Sequence, residues 1–353
     1  MKRRGLLLIA ALCAVSFSPA QQETGRVITG SVSDAETGLA LENVNVYLSM
    51  TMIGTSTSAS GAFRLANVPA GLYDMVISRV GYERQMIAVK AVRSESLHYD
   101  IRLHVLTLQA GEVQIVGEDP KEWRRNLKLF EKEFLGETEN AARCRILNPE
   151  VINIRFDKES RLLTASSDSI VTVENLALGY RIRLVLGKFC WNTVTGALDL
   201  LIYPAFEELK ARWAEEGTSW QENRQRSYRG SLKHFLRALS EGKAEEEHFY
   251  VFTGNFERRP MSYEVNPTAD RGHPVSPGEL LSSRDEIPPF KALKFDGYLR
   301  VEYWGNLPRR ASFIRLKNQE TFFDTLGNLF APLTVETAGY WSINRVAELQ
   351  PLY

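Results

Sequence analysis

"GSVSDAETGLALENVNVYL", residues 30–48, resumes after a short gap as "GTSTSASGAFRLANVPAGLYDMVISRVGY", residues 54–82. Apolar side chains recur at every second position in these runs. Val44, Val46 and Leu48 form one set, Phe63 and Leu65 another, and Tyr73, Met75 and Ile77 a third. Further on, Leu97, Tyr99, Ile101 and Leu103 keep the same period. A period of two places each set on one face of a strand. Gly61, the pair Pro69 and Gly71, and Gly81 punctuate the runs, where tight turns suit proline or a residue without Cβ. Short alternating strands cut by regularly spaced turns describe a small antiparallel β-sandwich. The spacing predicts that it fills residues 26–117 and closes on a strand holding Val113 and Ile115.

The pieces also follow a recognisable order: Gly30 and Val32; Thr37, Gly38, Leu41, Val44 and Val46; Gly54, Thr55, Thr57, Gly61 and Phe63; Val68, Pro69, Gly71 and Tyr73; Gly81 and Tyr82. This order resembles the carboxypeptidase regulatory-like domain, a transthyretin-like module common in exported bacterial proteins. The resemblance implies a Greek-key sandwich that binds, braces or spaces and does not by itself catalyse. Ser58 departs from it, standing where many members carry an acid. Residues 134–151, 176–186, 203–209, 223–239 and 339–353 resemble the C-terminal region of exported Bacteroidota-type proteins named for that domain. That second resemblance implies an architecture and an address, with no mechanism.

Lys2, Arg3 and Arg4 precede an apolar run, residues 5–17, which ends at Ser18-Pro19-Ala20. A positive start, a short apolar run and small residues at its end are the marks of a signal peptide. Residues 1–20 are therefore expected to direct export to the periplasm or cell surface of a bacterium. Leu12 before Cys13 argues against a lipidated cysteine, which needs a small residue in front of it. No later run reaches the ~20 apolar residues of a membrane helix. Without residues 1–20 the formal charge is −3, which disfavours nucleic acid as a partner.

Residues 118–144 read as a helical linker docking one domain on the other. Asp119, Pro120 and Glu122 make a helix start. Trp123, Leu127, Phe130 and Phe134 form its apolar stripe, and Gly136 ends it. Residues 145–353 read as a larger antiparallel β domain with a few helices, so the chain is mainly β. Alternation marks strands near 151–156, 170–173, 181–186, 198–203, 249–252, 298–304, 312–316 and 333–337. One helix is expected from the capping box of Ser219 and Glu222 to near Gly242. Residues 264–289, with five prolines, read as a long exposed loop.

None of His98, His104, His234, His248 and His273 has a glutamate three positions on, so no zinc-carboxypeptidase ligand set is present in the sequence. Ser231 and His234 can share a helix face, with Glu207 or Glu208 to orient the imidazole, but a mid-helix serine lacks the elbow that acyl transfer uses. Glu207/Glu208 and Glu245/Glu246/Glu247 are neighbours in sequence and cannot face one another across a sugar at ~5–10 Å. No catalytic residue, metal or cofactor is assigned. The binding candidates are Arg226, Arg229, Lys233 and Arg237, spaced as one basic helix stripe that is either a solvated face or a dock for an anionic partner. Trp191, Trp304, Tyr340 and Trp341 either stack on sugar rings or pack in the core. Cys144 and Cys190 either bridge or remain separate thiols. Tyr353 ends the chain like an outer-membrane barrel, but Pro351 and the helices argue against one. The sequence thus points to a non-enzymatic envelope protein that binds or braces a protein or glycan, with a carbohydrate-active protein as the alternative.

Overall fold

The computed structural model describes residues 26–91, 96–106, 120–254, 272–282, 290–305 and 309–352. The expected signal peptide and the strand holding Val113 and Ile115 lie outside them.

Seven strands build the first domain: β1 (Arg26–Asp34), β2 (Asn45–Leu48), β3 (Gly54–Ser56), β4 (Ala62–Val68), β5 (Gly71–Ser78), β6 (Gln85–Ala91) and β7 (Leu97–Leu103). They form two sheets, β4-β1-β7 and β3-β2-β5-β6. Every pair is antiparallel except β1 with β7. The alternating set read from the sequence faces inward: Val44, Val46, Leu48, Phe63, Leu65, Tyr73, Met75, Ile77, Ile101 and Leu103 are all buried in one core. Asp34 fixes the turn after β1, accepting the backbone N–H groups of Glu36 and Thr37 at 3.0 and 2.8 Å and the Tyr82 hydroxyl at 2.9 Å. Those donors, Thr37 foremost, hold its carboxyl down to about 2.

The second part opens with α1 (Pro120–Leu135), then β8 (Cys144–Ile146), β9 (Ile152–Asp157), β10 (Leu162–Ser167), β11 (Val171–Asn175), β12 (Tyr180–Asn192) and β13 (Leu198–Glu208). The long β12 is the spine of a six-stranded sheet. On one side β11 pairs with its first half and β10 with its second, while β13 runs along the other side. The expected linker helix is instead a wall of this domain. Phe130 and Phe134 are fully buried, Phe130 packs on Phe189 of β12 with ring centroids 4.7 Å apart, and the Trp123 indole donates to the Ile152 carbonyl. The reason is the apolar stripe itself, which needs a complete core to cover it and finds one on this sheet.

Two helices follow, α2 (Ala214–Tyr228) and α3 (Leu232–Ser240), where the sequence predicted one. Gly230 breaks them. Its φ is +76°, and a Cβ there would come within 2.6 Å of the Tyr303 ring. Ser231 then caps α3 by accepting the His234 N–H at 3.1 Å. The start also moves: Ser219 and Glu222 lie inside α2, whose first turn is tied instead by Glu216 accepting the Arg212 N–H at 2.8 Å.

The remaining elements are β14 (Phe249–Gly254), β15 (His273–Val275), β16 (Leu281–Ser282), β17 (Lys291–Leu293), β18 (Tyr298–Tyr303), β19 (Arg310–Leu316), β20 (Thr321–Phe323), β21 (Val335–Gly339) and α4 (Tyr340–Ile343). They form a five-stranded sheet, β15-β14-β18-β19-β21, and a three-stranded one, β16-β17-β20. These pack with α3 around a third core centred on Phe235, Phe249 and Phe323. Residues 272–282 were expected in a long loop but carry β15, a 3-10 turn and β16, because Val275, Leu280 and Leu281 join that core.

Candidate functional site

The three cores meet at a groove of about 1190 Å³, bounded by β13, α3, the turn at 325–333 and the tail 341–352, and reaching Ser49, Met50 and Asp74 of the first domain. β13 is its spine. The strand's far end is held by the first domain: the Met50 N–H donates to the Pro204 carbonyl at 2.7 Å, and the Phe206 N–H to the Thr51 carbonyl at 2.9 Å. The Tyr47 hydroxyl donates to the Tyr203 carbonyl at 2.9 Å, and Tyr47, Val76 and Val185 form a small apolar cluster across the junction.

The tail crosses the groove and locks it. The Asn175 amide donates to the Ala347 carbonyl, and Glu348 accepts from Thr138 at 2.5 Å, Asn140 at 2.9 Å and Ser227 at 2.5 Å. Beyond it, Lys233 donates to the Pro351 carbonyl at 3.3 Å. The Leu352 N–H donates to Met50, and its side chain enters the core of the first domain. Sequence reasoning did not single out Glu348 or Leu352. The only hint was Glu348 standing between the apolar pairs Val346-Ala347 and, after Gln350, Pro351-Leu352.

The four basic candidates do not form one stripe. The break at Gly230 leaves Arg226 on α2 and Arg229 just past its end, while Lys233 and Arg237 belong to α3. Arg226 faces Glu139 at 3.8 Å, and Arg237 pairs with Glu241 at 3.0 Å and the Tyr228 hydroxyl at 3.2 Å. Arg229 is exposed. Lys233 and Arg237 line the groove, and burial pushes the Lys233 ammonium down to about 8.

Ser231 and His234 are close together but serve the fold. The serine oxygen caps α3, and His234 Nδ1 accepts the Gly230 N–H at 3.0 Å. That leaves Nε2 to donate to Glu247, not to Glu207 or Glu208. Burial lowers the His234 pKa and keeps the ring neutral near pH 7. Glu207 and Glu208 are exposed beside Arg181 and Arg224. Tyr340 and Trp341 are buried, and the Trp341 indole donates to the Gly230 carbonyl at 2.8 Å, so neither can stack on a sugar. Trp191 packs half-buried against the second domain's core, and Trp304 lies between Tyr250 and Arg309.

Cys144 and Cys190 are free thiols, which corrects the bridge considered above. Cys144 is in register with Asn175 and through it with Tyr180, whereas Cys190 lies ten residues along β12. At ~3.3 Å per residue that is roughly 30 Å, against the ~7 Å between Cα atoms that a disulfide can span. Burial pushes the Cys144 thiol up to about 12. Among the described residues, no group of three His, Cys, Asp or Glu side chains could hold a metal, and no helix is long and apolar enough to cross a membrane.

Residues 28–115 match the CarboxypepD_reg-like domain model. The first domain is a carboxypeptidase regulatory-like domain. No curated protein matches the chain. Among solved structures, a cohesin–X-dockerin complex from Acetivibrio cellulolyticus is similar at 18% identity over 22% of this chain and 57% of that one, with a TM-score of 0.20. A candidate carbohydrate-binding protein from Bacteroides uniformis is similar at 14% identity over 52% and 79%, TM-score 0.18. A candidate membrane-associated protein of unknown function from Bacteroides fragilis is similar at 11% identity over 89% and 94%, TM-score 0.18.

Proposed function

We propose that this is a non-enzymatic exported envelope protein that acts by binding or bracing a protein partner at the groove beside the regulatory-like domain. The observation that carries the reading is the interlock. Met50 and Thr51 sit on the edge of β13, and Leu352 from the far end of the chain sits in the first domain's core. A junction tied from both sides holds its groove in one shape, and a preformed site loses less conformational entropy on binding. The groove's lining is rich in Leu, Phe and Val side chains, including Leu201, Leu232, Leu329, Phe330 and Val335, which suits an apolar protein surface better than a sugar. The polar groups best placed for nucleophilic chemistry, Ser231 and His234, are occupied with capping and orienting α3.

The test is retention of partners from the native envelope by the wild type and by Leu201→Glu, a change at the groove lining. Retention of one protein by the wild type and its loss in the variant, at an unchanged melting temperature, is the expected result. Equal retention by both, or retention of glycan alone, overturns the reading.

A further inference from the structure

The edge of β13 is hydrogen-bonded at one end and unpaired at the other, where the strand is half-buried and the turn at Pro332–Thr334 lies near it. Along a strand, backbone groups of alternate residues point to opposite sides. Pro204 and Phe206 direct theirs away from β12, toward Met50 and Thr51. The same alternation directs the N–H and C=O groups of Leu198, Leu200 and Ile202 outward. All three residues line the groove, and their side chains pack against the second domain's core. Among the described residues, no hydrogen bond reaches these outward groups.

We propose that the unpaired edge of β13, residues 198–202, binds an extended peptide segment of a partner protein by strand addition, continuing the edge contact that Met50 and Thr51 already make. The inference rests on the protein-binding reading above and names its chemistry. Backbone donors and acceptors recurring every ~7 Å along an edge are matched by the backbone of another strand, whereas a sugar chain offers no such register. An edge left unpaired in a largely apolar groove also favours backbone partners over water. The first domain's loop shows that this edge accepts strand-like backbone, and the unpaired segment is continuous with that contact. Leu201 and Tyr203 on one side of the strand, with Leu232 and Leu329 across the groove, select a segment with apolar residues at alternate positions. Nearby charges are paired, Asp199 with Lys188 and Lys317 and Arg237 with Glu241, which leaves one lysine in excess.

The test uses the full chain and a panel of fluorescein-labelled decapeptides alternating apolar and polar residues. Each peptide is also made with N-methyl groups along one edge, and maltohexaose serves as the glycan probe. The expected result is saturable binding of panel members that weakens at least tenfold on N-methylation, with slowed amide exchange at Leu198, Leu200 and Ile202. Leu200→Pro removes one outward N–H without breaking the ladder to β12 and should weaken binding similarly. If that variant melts early, the N-methyl comparison and the exchange measurement in the wild type still decide. Equal binding of the N-methylated peptides, no panel member bound, or competition by maltohexaose overturns the proposal. If an envelope partner is retained without protection of those amides, strand addition falls and the binding reading stands. If no protein partner is retained, the binding reading itself falls.

Discussion

The two ends of the molecule bury their apolar side chains by different routes. The regulatory-like domain gathers its core from seven strands that follow one another along the chain, and its inward set keeps a period of two throughout. The second part needs two cores, and it closes them with residues far apart in sequence: Phe130 from α1 against Phe189 of β12, and Val346 and Ala347 from the tail. Strict alternation within each strand makes the first core readable from a window of sequence. Long-range closure makes the second depend on elements whose meeting no window contains.

That contrast is broken most directly at α1. Phe130→Ala should cost ~3–5 kcal/mol, the usual range for emptying a buried phenylalanine, and the loss should appear in the second domain. Denaturant unfolding followed by far-UV signal tests this, and a loss below about 1 kcal/mol would return α1 to the role of a linker.

Leu352→Ala comes next, at about 2 kcal/mol, the lower end for a buried leucine, because Leu352 lies at the rim of its core. Here the effect should fall on the first domain, although the residue lies at the other end of the chain. A fragment of residues 26–117 lacks Leu352, so it should melt below the same domain in the full protein. Identical melting temperatures would show that the tail contributes nothing there.

The two regions should also answer pH in different windows, each gaining stability as pH rises through its own. Asp34 is held near 2 when folded against roughly 3.9 when unfolded. The folded state binds fewer protons in that window, so its stabilisation is complete above about pH 4 and is lost as pH falls toward 2. Lys233 is held near 8 against an ordinary value of 10.5. The unfolded chain then binds more protons between those values, so stability rises with pH from 8 to 10.5. Asp34→Asn should flatten the acid limb and Lys233→Met the alkaline one, each read from melting temperature against pH. Unchanged limbs would remove these residues as the cause.

Two smaller effects sharpen the picture. Cys144, with its thiol pushed to about 12, should resist alkylation in the folded protein. After unfolding without reductant both cysteines should label, and a missing thiol would restore the bridge. Replacing Arg226, Arg229 and Arg237 with Gln should shift stability least, since exposed pairs are worth ~0–1 kcal/mol each. A loss of several kcal/mol would mean that these arginines hold the helices in place.

Much of the fold was legible in residues whose neighbours decide their state. The turns at Gly61 and Gly81 and the alternation through Val44, Val46 and Leu48 follow from side-chain size and a strand's geometry, whatever lies outside. The stripe of Trp123, Leu127, Phe130 and Phe134 likewise gave a helix with an apolar face, and Gly136 its end. The candidate site was less readable. Spacing alone made Arg226, Arg229, Lys233 and Arg237 a stripe, because nothing nearby announced that Gly230 would break the helix against Tyr303. The sequence leaves the pairing of Cys144 with Cys190 open for the same reason, since only the register through Asn175 and Tyr180 sets their separation.

The sequence by itself determined the first sandwich, the strand-rich character of the remainder and the polar or apolar face of each element. These depend on periodicity and on local backbone preferences. Only the tertiary structure decided that α1 belongs to the second domain, that Ser231 and His234 serve a helix cap, and that Leu352 closes a core begun more than three hundred residues earlier. Those outcomes depend on which apolar faces find one another and which buried polar groups find partners. Both are properties of distance in space, which spacing along the chain does not encode.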